Sequence, residues 1–129
     1  MYHRFNETKY PSTNIQLKVF KDQLKIIENE GIKFIEPKKF GKSISESKKQ
    51  RKLLLTIDDG LSSFYDNAWP ILKKKKIPFI LFVNTREVGS FNYMTWDQII
   101  ELDKADFVEI GNHSHSHEYL VDEDAETIR

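Results

Sequence analysis

The sequence predicts an α/β fold with a parallel sheet, on three observations. Apolar runs of strand length alternate with segments of helical periodicity along the 129 residues. The runs at residues 53–57 and 78–83 are uninterrupted, as in strands buried on both faces of a parallel sheet. The segment between them, residues 62–76, is long enough for the crossover helix that joins parallel strands.

Composition indicates a globular protein of one domain. Hydrophobic residues make up 39% and charged residues 31%, and no run reaches the roughly 18 apolar residues of a membrane span. Cysteine is absent, which excludes disulfides and thiolate metal ligands. Residues 1–5 do not combine a basic region with an apolar stretch, so no signal peptide is predicted and the default location is cytoplasmic.

Charge is divided unevenly although the formal net charge is zero. Residues 1–52 carry an excess of basic side chains, and residues 53–129 carry an equal excess of acidic ones. The basic runs at 48–52 and 73–76 each precede a predicted buried strand, where solvated lysines suit a loop or a helix end. Nucleic-acid binding is therefore not predicted.

The first helix is predicted from apolar residues three and four positions apart, namely Leu17, Phe20, Leu24 and Ile27. Thr13 and Gln16 have the spacing of a capping box at its start, and Gly31 suits the position just beyond its end. Residues 32–35 then form a short predicted strand.

The middle of the chain contains the two strongest strand predictions. Residues 41–52 are polar and predict an exposed loop before the strand at 53–57. The helix at 62–76 contains Pro70, which should kink it or split it into two parts. The strand at 78–83 follows.

The last third of the chain continues the alternation. Thr95 and Gln98 form a second capping box, which opens a helix through Leu102. Residues 107–110 predict a further strand. The acidic segment 118–126 suits the first turns of another helix, where carboxylates interact favourably with the helix dipole.

Polar clusters follow two of the predicted strands directly. Asp58 and Asp59 come after the strand at 53–57, while His113 and His117 lie just beyond the strand at 107–110. The carboxyl ends of parallel strands share one edge, so these residues should meet there. Two imidazoles and one carboxylate form a ligand set for a catalytic divalent metal, with one coordination position left open for water. Asp59 would then bind the metal, and Asp58 would act as the base.

Each cluster also has an ordinary interpretation. Asp-Asp-Gly is a common turn sequence. His113 and His117 share a face if the segment turns helically, whereas in an extended strand both would share a face with His115. Gly111 and Asn112 interrupt the strand before the cluster, so we expect His115 to point away from the metal. Whether His3 lines the same edge stays open at this point.

The two clusters together resemble motifs of the polysaccharide deacetylases, also called the NodB homology or carbohydrate esterase family 4 group. The family motif Thr-Phe-Asp-Asp-Gly is matched at residues 56–60, with Ile57 in place of Phe. The motif His-Ser/Thr-x-x-His is matched at residues 113–117. The opening segment 2–5 is similar to the first-strand region of many members.

The resemblance implies a function and a role for each matching residue. Asp58 would be the catalytic base, and Asp59, His113 and His117 would bind a divalent metal, usually Zn²⁺ and sometimes Co²⁺ or Ni²⁺. Ser114 would hold the histidine loop by hydrogen bonding. The implied reaction removes N-acetyl or O-acetyl groups from a glycan of the N-acetylglucosamine type. The implied fold is a distorted (β/α) barrel, and members generally act on extracellular or envelope polymers.

The later motifs of that family do not follow. Only 12 residues come after His117, and the Arg-x-Pro, Asp/Trp and Leu-x-His motifs are missing from them. We therefore expect residues 1–129 to be the N-terminal part of one such domain, a partial barrel with an unpaired sheet edge open to self-association. Two alternatives stay open: a truncated module that binds metal or carbohydrate without turnover, and another metallo-amidohydrolase acting on small molecules.

Overall fold

The computed structural model describes residues 1–45 and 50–126. Its strands are β1 (Arg4–Phe5), β2 (Asn14–Ile15), β3 (Lys33–Phe34), β4 (Lys52–Leu53), β5 (Leu55–Ile57), β6 (Phe79–Val83) and β7 (Val108–Asn112). Its α-helices are α1 (Leu17–Asn29), α2 (Phe40–Ser45), α3 (Trp69–Lys75) and α4 (Trp96–Asp103). Among these described helices, none has the length and apolar character needed to cross a membrane.

The strands pair in parallel, as predicted. The largest sheet has the order β5-β6-β7, and two smaller sheets pair β1 with β2 and β3 with β4. A further parallel bridge joins Tyr2 to Ile57 and brings the start of the chain to the other edge of β5. The described strands thus form small parallel sheets, and a complete barrel remains a prediction.

Aromatic packing on one face of the main sheet forms much of the core. Phe79 is fully buried, with its ring 5.4 Å from that of Phe64 and 6.0 Å from that of Trp69, both at steep angles. Phe5 and Phe20 pack edge to face at 5.0 Å and join the same core. Edge-to-face contacts of this kind hold helix and sheet in one relative position.

The prediction that the two apolar runs are buried on both faces was only half right. In β6 the side chains alternate between buried and half-buried, and Ile80 and Phe82 occupy the half-buried face. The run at 53–57 is divided between β4, which pairs with β3, and β5, which pairs with β6. Apolar content alone does not reveal this division, because the run of leucines at residues 53–55 continues across it.

The start of α1 corrects one prediction and its end confirms another. Gln16 is itself the N-cap and makes no side-chain cap, while the Thr13 hydroxyl donates to the Tyr10 carbonyl at 3.4 Å. At the other end Gly31 has a φ of 64°, and its N–H donates to Glu28 O. A left-handed residue at this place closes the helix, and glycine adopts it without strain.

Pro70 divides the helix predicted at 62–76, as expected. A π-helical turn at Phe64–Ala68 precedes α3, and Pro70 lies in the first turn of α3. Proline has no N–H to donate and clashes with the carbonyl four residues earlier, so the chain widens there. The second capping box is also confirmed: Gln98 N–H donates to Thr95 Oγ1 at 3.3 Å, and Thr95 N–H donates to Gln98 Oε1 at 2.9 Å.

Three other predictions were wrong. The expected loop at 41–52 contains most of α2 and begins β4, while its residues 46–49, with part of the basic run 48–52, lie outside the described residues. Strand β7 continues through Gly111 and Asn112, because both pair with β6. The acidic segment 118–126 forms a 3₁₀ turn at Leu120–Asp122 in place of the expected α-helix.

A carboxylate ties α3 to α4. Glu101 accepts hydrogen bonds from the Tyr65 hydroxyl at 2.6 Å, Lys73 Nζ at 2.9 Å and Trp69 Nε1 at 3.2 Å. These donors, Tyr65 foremost, lower the pKa of Glu101 to about 2. The carboxylate therefore stays ionised at neutral pH and links the two helices.

Candidate metal centre

The carboxyl ends of β5, β6 and β7 lie side by side and bring polar residues from three parts of the chain to one edge. Asp58 and Asp59 follow β5, Asn84 follows β6, and His113 follows β7. The backbone pairing extends one residue past the last strand, since His113 N–H donates to Val83 O at 3.0 Å. The expectation that the two clusters meet at this edge is confirmed for the described residues.

Asp59, His113 and His117 converge on one point. Asp59 Oδ1 is 3.3 Å from Nε2 of His113 and 3.3 Å from Nε2 of His117. The three possible ligand atoms lie within 4.8 Å of one another. In a tetrahedral zinc site with bonds of about 2.0–2.1 Å, ligand atoms are about 3.3–3.4 Å apart. The two distances to Asp59 match this spacing, and the three side chains could together hold a metal ion.

The contacts to Asp59 are not hydrogen bonds. Its buried Oδ1 has no hydrogen-bond partner within the part of the chain that the structure describes. A buried carboxylate oxygen without a partner is costly, unless a cation or donor satisfies it. A metal ion between this oxygen and the two imidazoles would supply that interaction.

The histidine segment reaches this arrangement by left-handed turns, and the expected helical turn is wrong. Ser114 and His117 have φ values of 63° and 60°. Asn112 Oδ1 accepts a hydrogen bond from Ser114 N–H at 2.6 Å, and Ser114 Oγ accepts one from His117 N–H at 3.0 Å. These side chains hold the strained turn, and the hydrogen bond expected of Ser114 is present.

His115 points away from the other two histidines, as predicted. It is exposed, and its Nδ1 lies 2.9 Å from the hydroxyl oxygen of Thr85. Its carbonyl accepts a hydrogen bond from the backbone N–H of Arg86 at 2.9 Å. His115 therefore fastens the segment to the loop after β6.

Asp58 is buried beside the three converging side chains. It is 7% exposed, its backbone N–H donates to Tyr2 O at 2.9 Å, and its Oδ1 has no hydrogen-bond partner among the described residues. Its Oδ2 is 3.9 Å from Nε2 of His3, which places His3 at the same edge. Asp59 thus faces His113 and His117, whereas Asp58 faces His3.

Several residues that the sequence reasoning missed form a polar cleft next to Asp59. The cleft has a volume of about 390 Å³ and is lined by Arg4, Asp59, Asn84, Glu87, Tyr93, Ser116 and His117. Asn84 is 2% exposed, and its Oδ1 has no hydrogen-bond partner in the described ranges. The sequence offered one indication that Asn84 belongs to the site. It comes directly after β6, just as Asp58 comes directly after β5.

Tyr93 provides the cleft with a hydroxyl donor. Burial raises the pKa of its phenol, and the carboxylates of Glu87 and Asp59 add to the effect. The hydroxyl therefore stays protonated well above neutral pH. A second cavity of about 510 Å³ also reaches the histidines, and Tyr119 and Val121 belong to its lining.

Gly111 lies under the ring of Phe82. A Cβ added at Gly111 would be 2.5 Å and 2.6 Å from two ring carbons, and the ring centroid lies 6.3 Å from that of His113. We expect Gly111→Ala to lower the free energy of unfolding by about 1–3 kcal/mol, because the ring or the strand must move. Urea unfolding measures the change. The control is Gly41→Ala, where an added Cβ meets nothing within 4 Å; equal midpoints for the two variants would contradict the prediction.

The fold and the site together define an α/β protein with a candidate mononuclear metal centre at the carboxyl edge of parallel strands. The polysaccharide deacetylase family model matches residues 45–129. The chain therefore belongs to the polysaccharide deacetylase family, which confirms the resemblance of the two motifs.

Relatives and solved structures agree with this assignment. Poly-β-1,6-N-acetyl-D-glucosamine N-deacetylase of Staphylococcus aureus is 33% identical over 102 residues, which are 74% of this chain and 35% of the relative. The Streptococcus pyogenes deacetylase PplD in complex with acetate superposes with a TM-score of 0.83 and 26% identity, covering 99% of this chain and 62% of that one. IcaB from Ammonifex degensii superposes with a TM-score of 0.81 and 29% identity, covering 99% of this chain and 55% of that one. The chain thus spans about a third of the length of the curated relative.

Proposed function

We propose that the protein removes N-acetyl, or O-acetyl, groups from a polysaccharide in a metal-dependent hydrolysis. Asp59, His113 and His117 bind the metal, and Asp58 is the catalytic base. The observation that carries the proposal is the convergence of one carboxylate oxygen and two imidazole nitrogens with a second buried carboxylate alongside. The relatives named as deacetylases support the same chemistry.

Zinc is the metal that best suits the donor set. Imidazole nitrogen and carboxylate oxygen are common zinc ligands, and three protein ligands leave one position open, as in catalytic zinc sites. Co²⁺ and Ni²⁺ accept the same donors. When bound, the metal supplies a Lewis acid that polarises the acetyl carbonyl and lowers the pKa of water.

Asp58 handles the proton in this proposal. The negative charge of Asp59 is directed toward the histidines, so Asp58 is the carboxylate that remains able to accept a proton from the attacking water. Its backbone bond to Tyr2 keeps it in position. The water oxygen bonds to the acetyl carbon while Asp58 takes a proton from the water. The C–N bond then breaks and Asp58 returns that proton to the leaving nitrogen, so the products are acetate and a free amino sugar.

The polar cleft is suited to the sugar that carries the acetyl group. The groups that line it include the carboxamide of Asn84, the hydroxyl of Tyr93 and the guanidinium of Arg4. Hydroxyl and acetamido groups of an N-acetylglucosamine unit can pair with such groups. Buried polar groups that find partners only in the substrate also discriminate against analogues that lack them.

Acetate release tests the proposal. The zinc-loaded chain is incubated with β-linked N-acetylglucosamine oligomers, and acetate is measured enzymatically before and after chelation. Release that stops on chelation and returns with zinc is the expected result. A chain that binds both zinc and oligomer yet releases no acetate would contradict catalysis and would favour a binding module.

A further inference from the structure

Asp58 is held at the sheet edge by its backbone more than by its side chain. Strand β5 pairs with β6 as far as Ile57, and Asp58 is the next residue. Its Oδ1 accepts no hydrogen bond from the described residues, and its Oδ2 is 3.9 Å from Nε2 of His3, beyond hydrogen-bond distance. The N–H of Asp58, in contrast, donates to Tyr2 O at 2.9 Å. The position of this carboxylate therefore depends on Tyr2.

The chain leaves the sheet immediately after this bond. Asp59 and Gly60 have φ values of 76° and 71°, so the backbone turns through left-handed conformations there. For Asp59, which has a Cβ, such a conformation costs free energy and persists where the surrounding structure holds it. On the N-terminal side of the turn, Tyr2 bonds to Asp58 and also donates its N–H to Thr56 O at 3.0 Å. Tyr2 thus spans the end of β5 and the first residue of the site.

The side chain of Tyr2 connects this backbone to helix α1. Its hydroxyl donates to Gln23 Oε1 at 2.5 Å. Its ring packs edge to face on Phe20, with centroids 5.3 Å apart, and lies 5.8 Å from the ring of Phe5. Burial raises the pKa of the Tyr2 phenol, so the hydroxyl stays protonated and able to donate at neutral pH. One side chain therefore joins α1 to the backbone that carries Asp58.

Helix α1 gives Tyr2 a firm support. Phe20 is fully buried and Leu24 is 4% exposed, and both belong to the hydrophobic core. Gln23 is half-buried and lies three residues after Phe20, on the same side of the helix. A hydroxyl bonded to a helix packed in this way is held in one place.

A catalytic base needs this kind of precision. It must lie within about 2.6–3.2 Å of the atom whose proton it removes. A displacement of about 1 Å can reduce a rate by as much as 10²-fold. The Asp58 carboxylate has few side-chain contacts that would resist such a displacement. Precision at the base therefore requires precision in the backbone that carries it.

We propose that Tyr2 is a positioning residue for the base: its hydrogen bond to Gln23 on α1 holds the backbone of Asp58 where proton transfer requires it. This inference rests on the proposed function, because that function assigns Asp58 as the base. Tyr2 acts through the backbone and takes no part in the proton transfer itself. Gln23 contributes to catalysis in the same indirect way, although it is not among the described residues that line the polar cleft or converge on Asp59.

Acetate release by Tyr2→Phe tests the proposal, because this substitution removes the hydroxyl and keeps the ring. Rates are measured on zinc-loaded protein with β-linked N-acetylglucosamine oligomers, at a temperature well below unfolding. The kcat should fall about tenfold, while KM and zinc affinity stay within about threefold of wild type, since the cleft and the ligand atoms are unchanged. The matched control is Tyr65→Phe. The Tyr65 hydroxyl also donates to a side-chain oxygen, that of Glu101 at 2.6 Å, and its removal should leave kcat at the wild-type value.

Gln23→Leu removes the other half of the same bond and keeps a side chain of similar size. It should lower kcat by the same factor as Tyr2→Phe. The double variant should be no slower than either single one, because the two substitutions break one interaction. A role of Tyr2 in stability alone would not produce this pattern in kcat.

Hydrogen exchange of the Asp58 N–H, followed by NMR, gives a second readout that does not require turnover. Exchange should be about tenfold faster in Tyr2→Phe than in wild type or Tyr65→Phe, because the bond to Tyr2 O opens more often.

The outcomes separate this proposal from the proposed function. A wild-type kcat in Tyr2→Phe, an equal loss in Tyr65→Phe, or losses that multiply in the double variant would overturn the positioning role and leave the deacetylase assignment intact. If the wild-type chain binds zinc and releases no acetate, the proposed function fails, and the exchange rates alone decide whether the Tyr2 hydroxyl holds Asp58. Unchanged exchange in Tyr2→Phe would then overturn this proposal as well.

Discussion

Replacement of His113 by Ala is expected to lower the affinity for zinc by more than about 10²-fold. The loss of a direct ligand should exceed the roughly 10–100-fold cost of losing an outer partner of a metal site. Nε2 of His113 is one of the three converging atoms, and its removal leaves Asp59 with a single imidazole. Competition titration against a chelator of known affinity measures the change, and Asp59→Ala should behave alike.

His115→Ala is the matched control for that measurement. His115 is the same residue type two positions away, but its ring contacts Thr85 and stays clear of the ligand set. Zinc affinity within about threefold of wild type is expected for this variant. Equal losses in the two variants would mean that the histidine segment, and not the three converging atoms, determines zinc binding.

The second large effect is expected on catalysis. Asp58→Asn should reduce the rate of acetate release by about 10²–10⁴-fold, because a carboxamide of the same shape cannot accept the proton from water. Zinc affinity should change little, since Asp58 lies outside the three converging atoms. Acetate release and zinc titration on the same preparation distinguish these effects.

The control for Asp58→Asn is the same substitution at an exposed aspartate. Asp103 lies at the end of α4, so Asp103→Asn removes the same charge from the protein at a distance from the strand ends. That variant should release acetate at the wild-type rate. If Asp58→Asn kept its rate, or lost zinc as His113→Ala does, the role of base would have to be assigned elsewhere.

Much of the site could be predicted because position along a parallel strand determines position at the sheet edge. Asp59 and His113 are far apart in the chain, yet each follows a strand directly, and alternating apolar and helical segments imply that those strands are parallel. The break in the helix at Pro70 and the capping box at Thr95 could also be predicted. In both cases the side chain affects backbone groups within a few residues, so the local sequence is enough to predict the effect.

The path of the histidine segment could not be predicted. A spacing of four residues fits a helix, but β7 extends two residues further than expected, and the chain then turns through left-handed conformations at Ser114 and His117. Those conformations depend on hydrogen bonds to the side chains of Asn112 and Ser114. Spacing alone cannot reveal such bonds.

Asn84 and Tyr93 were missed for a different reason. Neither belongs to a spacing pattern, and an asparagine after a strand is also an ordinary turn residue. Both line the cleft beside Asp59, where Asn84 is buried and Tyr93 half-buried, and this placement depends on packing between distant segments. The single-domain organisation, the closed barrel and self-association through a sheet edge remain predictions.

The bridge between Tyr2 and β5 has a practical consequence for handling the protein. Tyr2 N–H donates to Thr56 O, and Tyr2 O accepts from Asp58 N–H, so Tyr2 clamps the backbone of the residue that we propose as the catalytic base. An affinity tag fused ahead of Met1 would emerge beside this clamp. Removal of such a tag by a protease before kinetic work avoids a disturbance of the clamp.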